Sequence, residues 1–154
     1  MSHVATISLE IMDLDALKAA CESLGLELCK NVRQYRWYGR SVGDSKLPEG
    51  FTKEDLGKCE HVIRVKGPHS TNSQAPYEIG LVTRRDGRPG FCMMWDTWQG
   101  GYGLVEKVGG EQCDKLRQEY AIETATRIAK RQGFRVVKKS IRHDGSVVLV
   151  TQKG

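Results

Sequence analysis

Between Tyr77 and Gly103 the chain carries the pattern that most restricts its fold. Tyr77, Ile79, Leu81 and Thr83 alternate with Glu78, Gly80, Val82 and Arg84. After a turn cluster holding Asp86-Gly87 and Pro89-Gly90, a second run alternates Phe91, Met93 and Trp95 against Cys92, Met94 and Asp96. Period-two alternation around a Gly/Pro-rich break predicts a β-hairpin. Its second strand is the more restrictive half. Phe91, Met93 and Trp95 fall on one face and Cys92, Met94 and Trp98 on the other, so the strand is either central in a sheet or half of it meets a partner.

The rest of the chain supplies the partners for that hairpin. Val4 to Ile11 alternates as a strand. Asp13 then offers an N-cap, Asp15 sits in the first turn, and Leu14, Leu17, Cys21 and Leu24 keep helical spacing up to Gly25, a good C′ residue. Leu26 to Arg40 reads as a strand, with Tyr35, Trp37 and Tyr38 adding β propensity. His61 to Lys66 is a short strand ended by Gly67-Pro68. The 41–57 and 67–76 stretches read as long loops, of the kind that often carry function or motion. Gln99-Gly-Gly-Tyr-Gly103 permits unusual backbone angles. Beyond Gly109-Gly110 a long helix is predicted, its stripe built from Cys113, Leu116, Tyr120, Thr124 and Ile128 beside Ala121, Ala125 and Ala129, stopping at Gly133. Phe134 to Arg142 and Ser146 to Thr151 flank Asp144-Gly145, the strongest short-range hairpin signal in the chain. The order β-α-β-β-β-β-α-β-β predicts an α+β fold, a mainly antiparallel sheet with two helices on one face.

A length of 154 residues fits one domain spanning 1–154. The amino terminus has neither a basic start nor an apolar run, and no segment approaches the roughly 18 apolar residues of a membrane span, so a cytoplasmic location without a membrane partner is expected. Cys21, Cys29, Cys59, Cys92 and Cys113 are scattered singly, which predicts reduced, buried thiols.

Catalytic and metal chemistry find little support. Cys59-Glu60-His61 places two ligand types close together, but no C-x-x-C or H-x-x-x-H completes a set. His3, His69 and His143 stand alone. Glu54-Asp55 and the pair Asp13 and Asp15 are explained by caps and solvated loops. No nucleophile elbow occurs, and the Gly100-Gly101-Tyr102-Gly103 run meets Glu106 where a dinucleotide fingerprint needs its last glycine. The expectation is a non-enzymatic protein with no metal and no cofactor.

Charge gives the best functional signal. Of the net +5, the segment from Ala125 to His143 contributes seven basic residues (Arg127, Lys130, Arg131, Arg135, Lys138, Lys139 and Arg142) and no acid. Upstream, Lys30, Arg33, Arg36 and Arg40 surround Tyr35, Trp37 and Tyr38. Cations that meet phosphates, beside rings that stack on bases, predict sequence-tolerant nucleic-acid binding. The bland reading of the same strand puts Tyr35 and Trp37 in the core and Arg36, Tyr38 and Arg40 on a solvated face. The alternative partner is a cytosolic protein machine, reached by an adaptor or inhibitor that docks through Met94, Trp95, Trp98 and Tyr102 on the central hairpin. That reading fails if Leu47, Phe51 and Leu56 fold over the hairpin instead.

Several of these segments together resemble a known family. They are Met1-Ser2-His3 before a short strand and Leu-rich helix, Tyr77-Glu78-Ile79-Gly80, Trp95-Asp96-x-Trp98-x-Gly-Gly-Tyr-Gly, the helix from Gln118-Glu119-Tyr120-Ala121 to Gln132-Gly133-Phe134, and Asp144-Gly145-Ser146. Over most of the chain they resemble a family of small conserved hypothetical proteins of cyanobacteria, algal plastids, other bacteria and bacteriophages. The resemblance implies an intracellular origin and one α+β domain. It rests on structural punctuation and brings no active site with it.

Overall fold

A computed structural model describes residues 4–39, 47–48, 50–67, 69, 75–143 and 147–153. The fold is α+β, as the order of elements predicts. Strands β1 (Val4–Ile11), β2 (Leu26–Lys30), β3 (His61–Val65), β4 (Ile79–Thr83) and β5 (Phe91–Asp96) form an antiparallel sheet in the order β1-β5-β4-β3-β2. Helices α1 (Leu14–Ser23), α2 (Leu104–Val108) and α3 (Asp114–Arg131) accompany it. Strands β6 (Phe134–Ile141) and β7 (Val147–Lys153) pair, among the described residues, only with each other.

The central hairpin lies where its two-faced pattern requires, with β5 between β1 and β4. On one face Ile63, Ile79, Leu81, Met93 and Trp95 pack with Leu17 and Cys21 of α1, Leu104 and Val108 of α2, and Leu116 and Tyr120 of α3. On the other face Val62, Val82, Cys92 and Met94 are covered by Tyr35, Phe51, Leu56 and Cys59, with Trp37 and Leu47 packed against them. The 47–59 segment therefore closes the second layer. Phe51 and Leu56 have no regular period, and their apolar surface finds its partner only in three dimensions.

Local signals account for the helix ends. Asp13 Oδ1 accepts the Asp15 and Ala16 N–H groups at 3.0 Å each, and Gly25 takes a positive φ of 74° after α1. Between β5 and α2, residues Gln99 to Tyr102 run through four consecutive left-handed conformations. The turn is fastened where the Tyr77 N–H donates to the Gly101 carbonyl at 2.9 Å and the Tyr102 ring meets Tyr77 edge-on at 5.2 Å. The short helix α2 that follows has no counterpart among the sequence expectations.

The strand expected from Leu26 to Arg40 is corrected. Strand β2 ends at Lys30, and Asn31 turns the chain with a φ of 62°. Residues 32–39 then cross the second face of the sheet as a strap, bridged once at Gln34 to Lys58. Backbone bonds join Arg33 and Tyr35 to Cys59 and Gly57, and further along carboxylates take over: Glu78 Oε1 accepts the Arg36 N–H at 2.7 Å and Asp96 Oδ2 accepts the Tyr38 N–H at 3.1 Å. The predicted stripe of α3 is also corrected in its second half. Leu116, Tyr120 and Ile122 are buried, but Ala125 and Ile128 are exposed, because that half of the helix has passed beyond the main core.

His61 anchors the start of the strap. Its Nδ1 accepts the Asn31 N–H at 2.9 Å, and its ring meets Phe91 edge-on at 5.2 Å. Burial holds the imidazole pKa below 6.5; the Arg33 and Lys30 cations add to this and the Glu60 carboxylate opposes it. The folded protein thus binds the His61 proton less readily than the unfolded chain. This contribution to stability is complete above the unfolded value near 6.5 and declines as pH falls from there through the lower folded value. Urea midpoints measured from pH 8 to 5 should fall toward acid more steeply for the wild type than for His61→Gln. Equal slopes would remove His61 from the account.

Candidate nucleic-acid interface

The structure separates the upstream candidates into core and surface. Tyr35 is 3% exposed, and its hydroxyl has no hydrogen-bond partner among the described residues. Burial pushes its pKa up to about 12. Trp37 is half-buried against Gly57, where a Cβ would come within 2.5 Å of the indole nitrogen. Tyr35 presents no free face to a base, and Trp37 keeps only partial exposure. Tyr38 is 40% exposed, Arg33 and Lys30 are exposed, Arg36 is half-buried, and Arg40 lies outside the described residues. As a basic and aromatic stacking surface, the 30–40 segment is therefore corrected to two cations and one ring.

The downstream cluster fares differently. Lys130, Arg131, Arg135, Lys138, Lys139 and Arg142 are exposed, and Arg127 is half-buried. Arg127 is occupied locally, with Nε at 3.9 Å from Glu123 Oε2 and Nη2 donating to the Asp15 carbonyl at 3.4 Å. Among the described residues, Lys130, Arg131, Lys138, Lys139 and Arg142 have no ion-pair partner. They stand on the last turn of α3, on β6 and just beyond its end.

Pairing of β6 with β7 adds residues that the linear sequence did not single out. Phe134 stands opposite Lys153, Arg135 opposite Gln152 and Lys138 opposite Val150, with an irregularity in register between Val136 and Lys138. Arg135 Nη2 donates to Gln152 Oε1 at 3.1 Å. Extending the register from the Asp144-Gly145 signal reaches Gln152 and Lys153 but sets them opposite the wrong partners, because the irregularity between Val136 and Lys138 shifts the pairing by one residue; the turn itself lies outside the described residues. The fold also joins the two basic groups. Lys30 and Arg131 line one open groove of about 530 Å³ with Met12, Asp13, Leu14 and Asp15, and Lys30 Nζ lies 3.5 Å from Asp15 Oδ1.

The central hairpin buries two of its four expected docking residues. Met94 and Trp95 are fully buried, Met94 under Tyr35 and the 47–59 segment and Trp95 under the helices. Trp98 and Tyr102 are half-buried against the core. This removes Met94 and Trp95 from the adaptor surface, because a side chain without exposed area cannot meet a partner, and leaves it the partial exposure of Trp98 and Tyr102.

Nor do the other reactive groups assemble. All five cysteines are free, and burial pushes the thiols of Cys21, Cys59 and Cys113 up to about 12, which keeps them protonated. Among the described residues no three His, Cys, Asp or Glu side chains gather as a metal site, and no helix is long and apolar enough to cross a membrane. No protein-family model matches the chain, and comparison with curated proteins and with solved structures gives no match.

Proposed function

We propose that this protein is a non-enzymatic nucleic-acid-binding protein whose contacts are dominated by phosphate and tolerate sequence. The observation that carries the reading is the concentration of exposed, unpaired cations on the end of α3 and on β6, in a stretch from Ala125 to His143 that contains no acid. A single sign of charge over two adjoining elements favours a polyanion. With Tyr35 buried and Trp37 half-buried, Tyr38 is the exposed ring of the strap, which gives stacking a small share beside phosphate contact.

Binding to single-stranded and duplex oligonucleotides, followed by fluorescence anisotropy across a salt series, tests the reading. Each neutralised phosphate contributes a slope of about −0.7 (single strand) to −0.9 (duplex) in log affinity against log salt. Joint replacement of Lys138, Lys139 and Arg142 by Ala should flatten the slope by about two to three. All three are exposed and without ion pairs, so the variant should unfold at the wild-type temperature. Absence of salt-dependent binding by the wild type would end this reading.

A further inference from the structure

The β6–β7 pair stands apart from the five-stranded sheet, and its two long sides have no further strand among the described residues. α3 packs against it. Cross-strand neighbours share a face, so the register sorts the ribbon into two rows. Phe134, Val136 and Leu149 of one row are half-buried. Lys139, Thr151 and Lys153 of that row are exposed; in the other row Arg135 and Gln152, then Lys138 and Val150, are exposed, and Ser140 and Val148 are half-buried. Packing on α3 supports the two-stranded ribbon on one face and leaves the other open. The chemistry of the row selects the partner. A second copy would set Arg135 and Lys138 against the same cations, and lysines on such strands oppose edge pairing. A polyanion is attracted.

We propose that the β6–β7 ribbon enters the major groove of B-form duplex DNA, with Arg135, Gln152 and Val150 toward the base edges and Lys138, Lys139, Arg142 and Lys130 toward phosphates. The inference rests on the nucleic-acid reading above and names the form of nucleic acid and the groove. Dimensions favour it: two strands lie about 4.8 Å apart, and a groove about 12 Å wide admits a two-stranded ribbon. The deep, narrow major groove of A-form RNA does not admit side chains. Chemistry favours it too, since Arg and Gln are side chains that make paired hydrogen bonds to guanine and adenine edges, and an apolar group such as Val150 can meet the thymine methyl. Arg135 and Gln152 are already joined at 3.1 Å, which orients both. With only these two base readers, selectivity extends over one or two base pairs, in keeping with sequence-tolerant binding.

The test compares the full chain on one duplex in four forms: unmodified, carrying bulky sugar groups on pyrimidine C5 in the major groove, preloaded with the minor-groove ligand netropsin, and as the A-form RNA duplex. Expected are at least tenfold weaker binding to the sugar-bearing DNA and to the RNA, and little change with netropsin. Gln152→Ala, which alters no charge, should weaken binding to unmodified DNA about fivefold with an unchanged salt slope, once wild-type thermal unfolding has been verified. Binding lost with netropsin but kept on the sugar-bearing DNA overturns the groove assignment. Equal affinity for all four forms overturns it too, while leaving phosphate-dominated binding in place. No binding to any nucleic acid overturns both this inference and the reading it rests on.

Discussion

Placing a single methyl group at Gly80 is expected to destabilise the protein by about 3 kcal/mol, the upper range for overpacking a core. Gly80 lies inside β4, paired with Val62 on one side and Met94 on the other. A Cβ there would sit 2.3 Å from Tyr35 Cδ1, 2.7 Å from Tyr35 Cε1 and 3.0 Å from Cys59 Cβ. The strand cannot retreat, because its opposite face is packed under the helices. The Tyr35 ring must leave, and with it the strap from 32 to 39. Tyr35→Ala should itself cost about 3–5 kcal/mol as a buried aromatic truncation. The decisive measurement is the double-mutant cycle by urea unfolding. Once the ring is gone, Gly80→Ala fills vacated space and should cost under about 1 kcal/mol, giving a coupling of about 2 kcal/mol. Strictly additive losses would show that the ring does not occupy the Gly80 site. If Tyr35→Ala instead kept wild-type stability and lost oligonucleotide affinity, Tyr35 would be a stacking platform after all.

That contact also marks where sequence and structure part. Strands with a long period-two run and helices with a cap at each end were legible: Asp13 and Gly25 bound α1, and β4 and β5 follow the alternation from Ile79 and Phe91. The hairpin β6–β7 was legible from a dipeptide in its turn. The strap was misread as strand because Tyr, Trp and Arg at alternate positions satisfy the strand pattern whether backbone groups bond to a neighbouring strand or to carboxylates. Glu78 and Asp96, which accept those N–H groups, lie 42 and 58 residues away from Arg36 and Tyr38, and no local pattern announces them. The alternation itself was sound. It placed Tyr35 and Trp37 inward, as the bland reading required. The fate of the central Met and Trp residues turned on a loop without period, since only packing shows that Phe51 and Leu56 cover Met94. Among the candidate sites, the charge run survives best because exposure is the usual state of Lys and Arg, whereas aromatic rings on a strand are claimed first by the core.

Asp96 is the second place where one side chain should carry a large share of stability. It ends β5 with no exposed surface, Oδ2 accepting the Tyr38 N–H at 3.1 Å and Oδ1 the Trp98 N–H at 2.9 Å. One carboxylate thus pins both the strap and the left-handed turn that leads into α2. Asp96→Ala removes both acceptors at once, and each buried donor left unpaired costs about 1–3 kcal/mol, so a loss of about 3 kcal/mol or more is expected in urea unfolding. Asp96→Asn separates geometry from acceptor capacity. Asparagine fits the space but presents one oxygen and one NH2, so one of the two N–H groups faces a donor, and about half of the alanine loss should remain. Amide exchange gives the local readout: the Tyr38 and Trp98 N–H groups should both lose protection in Asp96→Ala, and one of them in Asp96→Asn. A change of less than about 1 kcal/mol in Asp96→Ala would mean that water replaces the carboxylate and that the strap is held by Tyr35 against Gly80 instead.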